Sequence, residues 1–148
     1  MDDAIIHAAR AELGLLLGRK AAMRLKMALG LTGGGTGYAE VVGVDAAHRA
    51  PRVENVPGSL VTAALEHLVA TIATAVQEML TDIPPDLAED VVRGKIRLTG
   101  GGALLLGLAS RIEASAGIPT VVVDDPLRCV VRGAAEILEH GGGIVAPV

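Results

Sequence analysis

Hydrophobic residues recur every three to four positions over much of the chain, which is the spacing of amphipathic helices. This spacing predicts four helical segments before the last third of the chain, at residues 3–17, 20–29, 60–80 and 86–91. We expect Gly18 to end or bend the first helix, Gly30 to cap the second, and Ser59 to cap the third. The apolar face of the third helix is predicted to comprise Leu65, Leu68, Ile72, Val76 and Met79.

Strand patterns are shorter and fewer. Residues 38–44 are a strand candidate, whereas residues 49–58 contain two prolines and are predicted to form a loop. The last third alternates strand and helix, with strands at 95–99 and 120–123 and helices at 103–116 and 126–139. We expect Gly117 to end the helix at 103–116. We expect Asp125 to cap the final helix, whose first residue would be Pro126. This order predicts a parallel strand pair, which is poorly supported without further strands beside it.

Composition indicates one domain with an aliphatic core. The chain has 148 residues, of which 51% are hydrophobic and only 1% aromatic, so Leu, Val, Ile and Ala must fill the interior. A mean hydropathy of +0.50 is high for a soluble monomer. We therefore expect some apolar surface to meet another domain or subunit.

Charge and cysteine content exclude several classes of protein. The formal net charge of −4 argues against a nucleic-acid-binding surface. The single cysteine, Cys129, cannot form an internal disulfide and is predicted to be a small buried residue of a cytoplasmic protein. The four histidines lack metal-ligand spacing, so no metal site is predicted. The apolar segment 60–80 carries Glu66 and Glu78, which favours a buried amphipathic helix over a transmembrane segment.

A glycine-rich turn carries the clearest candidate chemistry. The strand at 95–99 runs into Gly100, Gly101 and Gly102, and a helical pattern follows. Glycine lets the backbone approach a ligand closely, and a helix N-terminus favours an anionic group. The alternative is a tight turn that only packs a helix against a strand.

The sequence around this turn resembles the MreB/Mbl family of bacterial actins. The resemblance rests on LTGGGALL at residues 98–105, GIP at 117–119 and DDPLRCVVRG at 124–133. Three further segments agree with it, namely DDAII at 2–6, the glycine- and lysine-containing segment 14–30, and PPDLA at 84–88. The DPLRCVVRG segment favours this family over the sugar kinases and heat-shock chaperones of the wider superfamily.

The resemblance implies an α/β fold, a partial actin-like (ribonuclease H-like) ATPase domain that is rich in helices and has few strands. The chain would form most of the family's second domain and lack the first domain and both phosphate loops. Residues 1–30 and 82–140 would be its core portion, residues 31–81 an inserted small subdomain with a long helix, and residues 141–148 a flexible tail. The GGGTG stretch at 33–37 has the residue types of the family's second phosphate loop, but it lies at a different position in the sequence. We expect a flexible segment that leaves the preceding helix there.

The resemblance also implies a nucleotide site. Gly100, Gly101, Gly102 and Ala103 would lie along the adenosine and α-phosphate side of ATP, and Lys26 would lie near the base. Met23 stands where the family has a glutamate that binds the ribose, and a thioether is a poor substitute for a carboxylate. The alternative for Lys26 is a solvated lysine on a helix face. Mg²⁺ and the catalytic groups would come from the absent parts, so no catalytic residue is assigned.

Two functions follow from this resemblance. The first is an ATP-binding cytoskeletal filament subunit that helps determine cell shape and organise wall synthesis, with ATPase activity only in the complete two-domain protein. It would be cytoplasmic, self-associate into filaments, and reach the membrane through a membrane-anchored partner of the RodZ type. The second is a nucleotide-free interaction module that binds or regulates actin-like filaments. The glycine turn favours the first function, and Met23 favours the second.

Overall fold

A computed structural model describes residues 1–31 and 37–140 of the chain. The predicted helix exit at residues 33–36 and the predicted tail at 141–148 lie outside the described residues.

The described residues form a helix-rich α/β fold with two small sheets. The helices are α1 (Asp2–Leu13), α2 (Arg19–Leu29), α3 (Gly58–Thr81), α4 (Ala88–Gly94), α5 (Leu108–Ala116) and α6 (Cys129–Glu139). The strands are β1 (Leu15–Leu16), β2 (Tyr38–Asp45), β3 (Pro51–Pro57), β4 (Ile96–Leu98) and β5 (Thr120–Val122). Strands β1, β2 and β3 form an antiparallel sheet in that order, and β4 pairs with β5. The β4–β5 pair is parallel, as the sequence predicted.

The first helix ends earlier than its apolar pattern suggested. Gly14 adopts a left-handed conformation with φ of 59° and caps α1 after Leu13. The next two residues adopt an extended conformation: Leu15 pairs with Asp45 of β2, and Leu16 pairs with Val44. Leu15 is fully buried. The prediction of a helix through residue 17 was therefore wrong, because an apolar run also suits a short buried strand.

Residues 51–57 form a strand where a loop was predicted. Strand β3 pairs with β2 along its whole length, from Tyr38 opposite Pro57 to Val44 opposite Pro51. The two prolines occupy the ends of β3, and β3 lies at the edge of the sheet. Proline is tolerated at such positions because few or no ladder hydrogen bonds are lost there.

The hairpin turn is held by Asp45. Its Oδ1 accepts hydrogen bonds from the backbone N–H groups of Ala47 and His48, at 2.9 and 2.8 Å. These bonds, chiefly the one from His48, lower the pKa of the Asp45 carboxyl from 3.8 to about 2. Arg52 joins the turn to α1, since its Nη1 donates to Asp45 Oδ2 and its Nη2 donates to the carbonyl oxygen of Leu13, both at 2.6 Å.

Helix α3 supplies one wall of the core. It begins at Gly58 after Pro57 and makes no side-chain capping hydrogen bond, so Ser59 is not its cap. Leu65 is fully buried, and Leu68, Ile72 and Val76 are partly buried on the predicted face. Met79 is 72% exposed, so the predicted face does not continue to the end of the helix. By length and composition α3 could span a membrane, a property shared by core helices of soluble proteins.

One aliphatic core joins α1, α2, α3, α5 and the antiparallel sheet. Its largest fully buried side chains are Ile5, Leu15, Leu25, Leu65, Ile112, Val56, Val61 and Val69. This composition matches the expectation of a core made of Leu, Val, Ile and Ala. The packing brings α2 against both α1 and β2, which fixes the side of α2 that is left for other contacts.

The last two helices begin later than predicted. A 3-10 turn spans Gly101–Leu104, Gly107 has φ of 85°, and α5 starts only at Leu108. Gly117 closes α5 as predicted, with φ of 69°. Helix α6 starts at Cys129, after a turn in which the backbone carbonyl of Asp125 accepts from the amides of Arg128 and Cys129. Cys129 is half-buried and not part of the core, contrary to prediction.

Candidate functional site

Four of the six sequence-predicted site residues line one cavity. Met23 and Lys26 of α2 face Gly101 and Gly102 of the glycine turn across a space of about 450 Å³. The remaining lining residues are Met1, Met27, Leu104, Leu105 and Leu127. Small-molecule pockets typically measure about 300–1,000 Å³. The fold therefore brings together two segments that are distant in sequence and that were assigned to one site.

Helix α2 presents the cavity residues because its other face is buried. Ala21, Ala22, Leu25 and Leu29 lie in the core. Met23 and Met27 are one helical turn apart on the opposite face, and they are 45% and 63% exposed. Met27 was not predicted, although its position one turn after Met23 could have indicated it.

In the glycine turn, only the first glycine has a backbone conformation that favours glycine over other residues. Gly100 has φ of 76°, and its N–H donates to the carbonyl oxygen of Pro126 at 2.7 Å. This bond holds the turn against the segment that carries Leu127. A Cβ at Gly101 would lie 3.5 Å from Cδ2 of Leu127, and a Cβ at Gly102 would meet nothing within 4 Å. The turn is thus open toward the cavity.

Gly100 and Ala103 support the cavity without lining it. The amide of Ala103 donates to the carbonyl oxygen of Gly100 at 3.2 Å, and the Ala103 methyl group is buried. The glycines enter a 3-10 turn and not the first turn of α5, which begins at Leu108. The prediction that an α-helix begins directly after the glycines is therefore wrong. A ligand would instead contact the exposed backbone of the glycine turn.

The end of α2 is locked to the end of the glycine turn. The amide of Leu31 donates to the carbonyl oxygen of Leu106 at 2.7 Å. Gly30 has φ of 52°, and a Cβ placed there would lie 2.5 Å from Cβ of Leu106. Gly30 therefore does more than end a helix: it lets two backbones touch and so fixes the width of the cavity.

Lys26 is held by an ion pair. Its Nζ lies 2.6 Å from Oδ1 of Asp2, and the two side chains are 22% and 29% exposed. The alternative of a solvated lysine on a helix face is therefore wrong. Among the described residues that line the cavity, Lys26 alone has an ionisable side chain. Asp2 was not predicted, although it lies in the DDAII segment on which the family resemblance partly rests.

Most of the cavity lining is apolar, and the sequence did not assign it. Leu104 and Leu105 complete the LTGGGALL segment, and Leu127 belongs to the DDPLRC segment. Both segments were singled out for resemblance, which is the signal that could have identified them. Within residues 1–31 and 37–140, no group of three or more His, Cys, Asp or Glu side chains could hold a metal ion.

Comparison with known proteins identifies the family. Residues 1–144 match the family described as MreB/Mbl protein. The cell shape-determining protein MreB of Escherichia coli K12 is 38% identical over 149 residues, which cover 97% of this chain and 43% of that protein. The chain thus spans less than half the length of this relative.

Solved structures agree on the fold. MreB5 of Spiroplasma citri, solved with ADP bound, has a TM-score of 0.86 and 26% sequence identity, over 95% of this chain and 44% of that one. MamK, solved as a double helical filament, has a TM-score of 0.78 at 23% identity, over 93% of this chain and 43% of that one, and shows the fold alone. The chain belongs to the MreB/Mbl family of actin-like cell shape-determining proteins.

Proposed function

We propose that this chain is the nucleotide-binding part of an MreB-type cytoskeletal filament subunit that helps determine cell shape and organise wall synthesis. The observation that carries the proposal is the meeting of Met23, Lys26, Gly101 and Gly102 around one cavity of about 450 Å³. The ADP bound to MreB5 of Spiroplasma citri supports an adenine nucleotide as the ligand.

The cavity fits the nucleoside part of a nucleotide better than its charged part. Methionine and leucine side chains suit a flat ring, and the bare backbone of Gly101 and Gly102 permits close approach. Met23 offers no carboxylate to ribose hydroxyl groups. We therefore propose Gly100, Gly101, Gly102, Ala103, Lys26 and Met23 as the nucleotide-binding residues, with Gly100 and Ala103 shaping the turn and the others in contact.

The described residues do not fit a Mg²⁺ site. They contain no group of three or more His, Cys, Asp or Glu side chains that could hold a metal ion, and Asp2 beside the cavity is already paired with Lys26. Mg²⁺ usually keeps several waters and is bound through carboxylates and phosphates. We assign no catalytic residue and no hydrolytic step to this chain, and any ATPase activity belongs to the complete two-domain protein.

Assembly is the second part of the proposal. The subunit would be cytoplasmic, self-associate into filaments, and reach the membrane through a partner of the RodZ type. The apolar face of α6 supports a role in association, because Val130, Val131 and Leu138 are 72%, 70% and 82% exposed. The division into a core portion and an inserted portion at residues 31–81 stays a prediction.

The alternative is a nucleotide-free module that binds or regulates actin-like filaments. Two observations favour it: Met23 replaces the carboxylate of the family, and the exposed face of α6 is suited to a protein contact. The two candidates differ in one measurable property, which is nucleotide affinity.

Calorimetry with ATP and Mg²⁺ on the full chain tests the proposal, with Gly101→Val as the cavity variant. The new side chain would enter the space beside Leu127 and weaken binding at least tenfold, a loss of about 1.4 kcal/mol. Gly133→Val is the matched control, because a Cβ at Gly133 meets nothing within 4 Å. A folded wild-type chain that binds neither ATP nor ADP would favour the interaction module instead.

A further inference from the structure

The ionisable side chain that lines the cavity is already neutralised. Lys26 Nζ and Asp2 Oδ1 are 2.6 Å apart, and both side chains are less than one-third exposed. The neighbouring acid, Asp3, makes a similar cross-helix pair with Arg19, but at 3.2 Å and with side chains that are 79% and 65% exposed for Arg19 and Asp3. Two adjacent aspartates on α1 thus pair with two cations on α2, one at the cavity and one in solvent.

The apolar surroundings of the Lys26–Asp2 pair, the inner of the two pairs, make it important for the choice of ligand. The other cavity side chains are methionine and leucine, so the medium beside Lys26 screens charge less than water does. Asp2 does not line the cavity, but its carboxylate lies within hydrogen-bond distance of Lys26 Nζ, so an anion that approaches the ammonium group also experiences the negative charge behind it. Repulsion from the carboxylate would offset much of the attraction.

We propose that Asp2 is a specificity-determining residue of this cavity, because it holds Lys26 in a neutral pair and removes the preference for anionic ligands. The inference rests on the proposed nucleotide site and concerns how that site selects its ligand. The nucleoside part sets the affinity of the chain, and added phosphates contribute little. Asp2 therefore makes adenosine, ADP and ATP nearly equivalent ligands for this chain.

The test compares the wild-type chain with Asp2→Asn, which keeps the shape of the side chain and removes its charge. Calorimetry at low and high salt uses adenosine, ADP and inorganic tripolyphosphate as probes. Wild type should bind adenosine and ADP within about threefold and should not bind tripolyphosphate. Asp2→Asn should bind ADP about five- to tenfold more tightly than adenosine at low salt, lose that difference at high salt, and acquire tripolyphosphate binding.

Three further variants assign the effect to the ion pair. Asp3→Asn, which removes the outer pair, should behave as wild type does. Asp2→Glu should restore the neutral pair and the wild-type profile. Lys26→Met added to Asp2→Asn should abolish most of the acquired tripolyphosphate binding, because no cationic side chain then lines the cavity.

The outcomes separate this inference from the proposed function. If wild type binds no adenosine compound but Asp2→Asn acquires tripolyphosphate binding that Lys26→Met removes, the inference stands and the nucleotide proposal fails. If wild type already prefers ADP to adenosine by more than about tenfold, with a steep salt dependence, the inference is wrong. It is equally wrong if folded Asp2→Asn acquires no anion binding. Should that variant not fold, the wild-type salt dependence decides alone.

Discussion

The amide of Leu31 donates a hydrogen bond to the carbonyl oxygen of Leu106 at 2.7 Å, and this bond ties helix α2 to the segment that follows the glycine turn. The two walls of the cavity are carried by these two segments. Their separation is therefore set by backbone contact, with Gly30 and Gly107 at the crossing point.

Gly30→Ala should destabilise the chain and widen the cavity. A Cβ at Gly30 would lie 2.5 Å from Cβ of Leu106, and a non-glycine residue at φ of 52° is strained. With ψ of −141°, Gly30 lies outside the left-handed helical region, so the backbone strain alone costs about 1–3 kcal/mol, and overlap adds to it. Urea unfolding measures the change. Gly133→Ala in α6, which has open space, should leave the free energy of unfolding unchanged or raise it by up to about 1 kcal/mol.

Leu65→Ala should lower the free energy of unfolding by about 2–5 kcal/mol, because the fully buried side chain leaves a cavity in the core. Met79→Ala on the same helix is the matched comparison, since Met79 is 72% exposed and should change stability by less than about 0.5 kcal/mol. Equal effects at both positions would contradict the orientation of α3. Chemical denaturation monitored by circular dichroism measures both.

Acid should weaken the β2–β3 hairpin through Asp45. The backbone N–H of His48, followed by that of Ala47, depresses the pKa of this carboxyl from 3.8 to about 2. Because the folded pKa is the lower one, the stabilisation is fully present above the unfolded value and is lost as the pH falls from about 4 to about 2. Asp45→Asn should flatten the dependence of stability on pH in that window. An unchanged slope would argue against the turn as described.

Leu138→Lys should reduce self-association without unfolding the chain. Leu138 is 82% exposed on α6, and no residue of α6 is buried. Sedimentation velocity over a range of concentrations should show less association than wild type, while the free energy of unfolding changes by less than about 0.5 kcal/mol. A loss of several kcal/mol would mean instead that α6 packs into the fold.

The sequence predicted the elements whose own residues determine them. Helix α2 and its cap Gly30 were predicted because the apolar spacing and the glycine agree locally. Strand β3 was missed because Pro51 and Pro57 argue against a strand unless their positions at the ends of an edge strand are known. That position depends on the partner strand, which local sequence does not contain.

The site was predicted in part for the same reason. The family resemblance located Met23, Lys26, Gly101 and Gly102, and the fold placed them around one cavity. The Asp2–Lys26 pair depends on how α1 packs against α2, and the contribution of Leu127 depends on the bond between Gly100 and Pro126. Contacts of this kind follow from tertiary packing and not from the spacing of residues.

The most direct test of the nucleotide cavity uses the methionines as probes. The chain has four methionines, and Met1, Met23 and Met27 line the cavity, whereas Met79 lies on the exposed end of α3. We would record the methyl spectrum of the ¹³C-methyl-methionine-labelled chain during titration with ADP. We predict that the signals of Met1, Met23 and Met27 shift together and saturate while that of Met79 stays in place. Signals that do not move, or a shift confined to Met79, would contradict it.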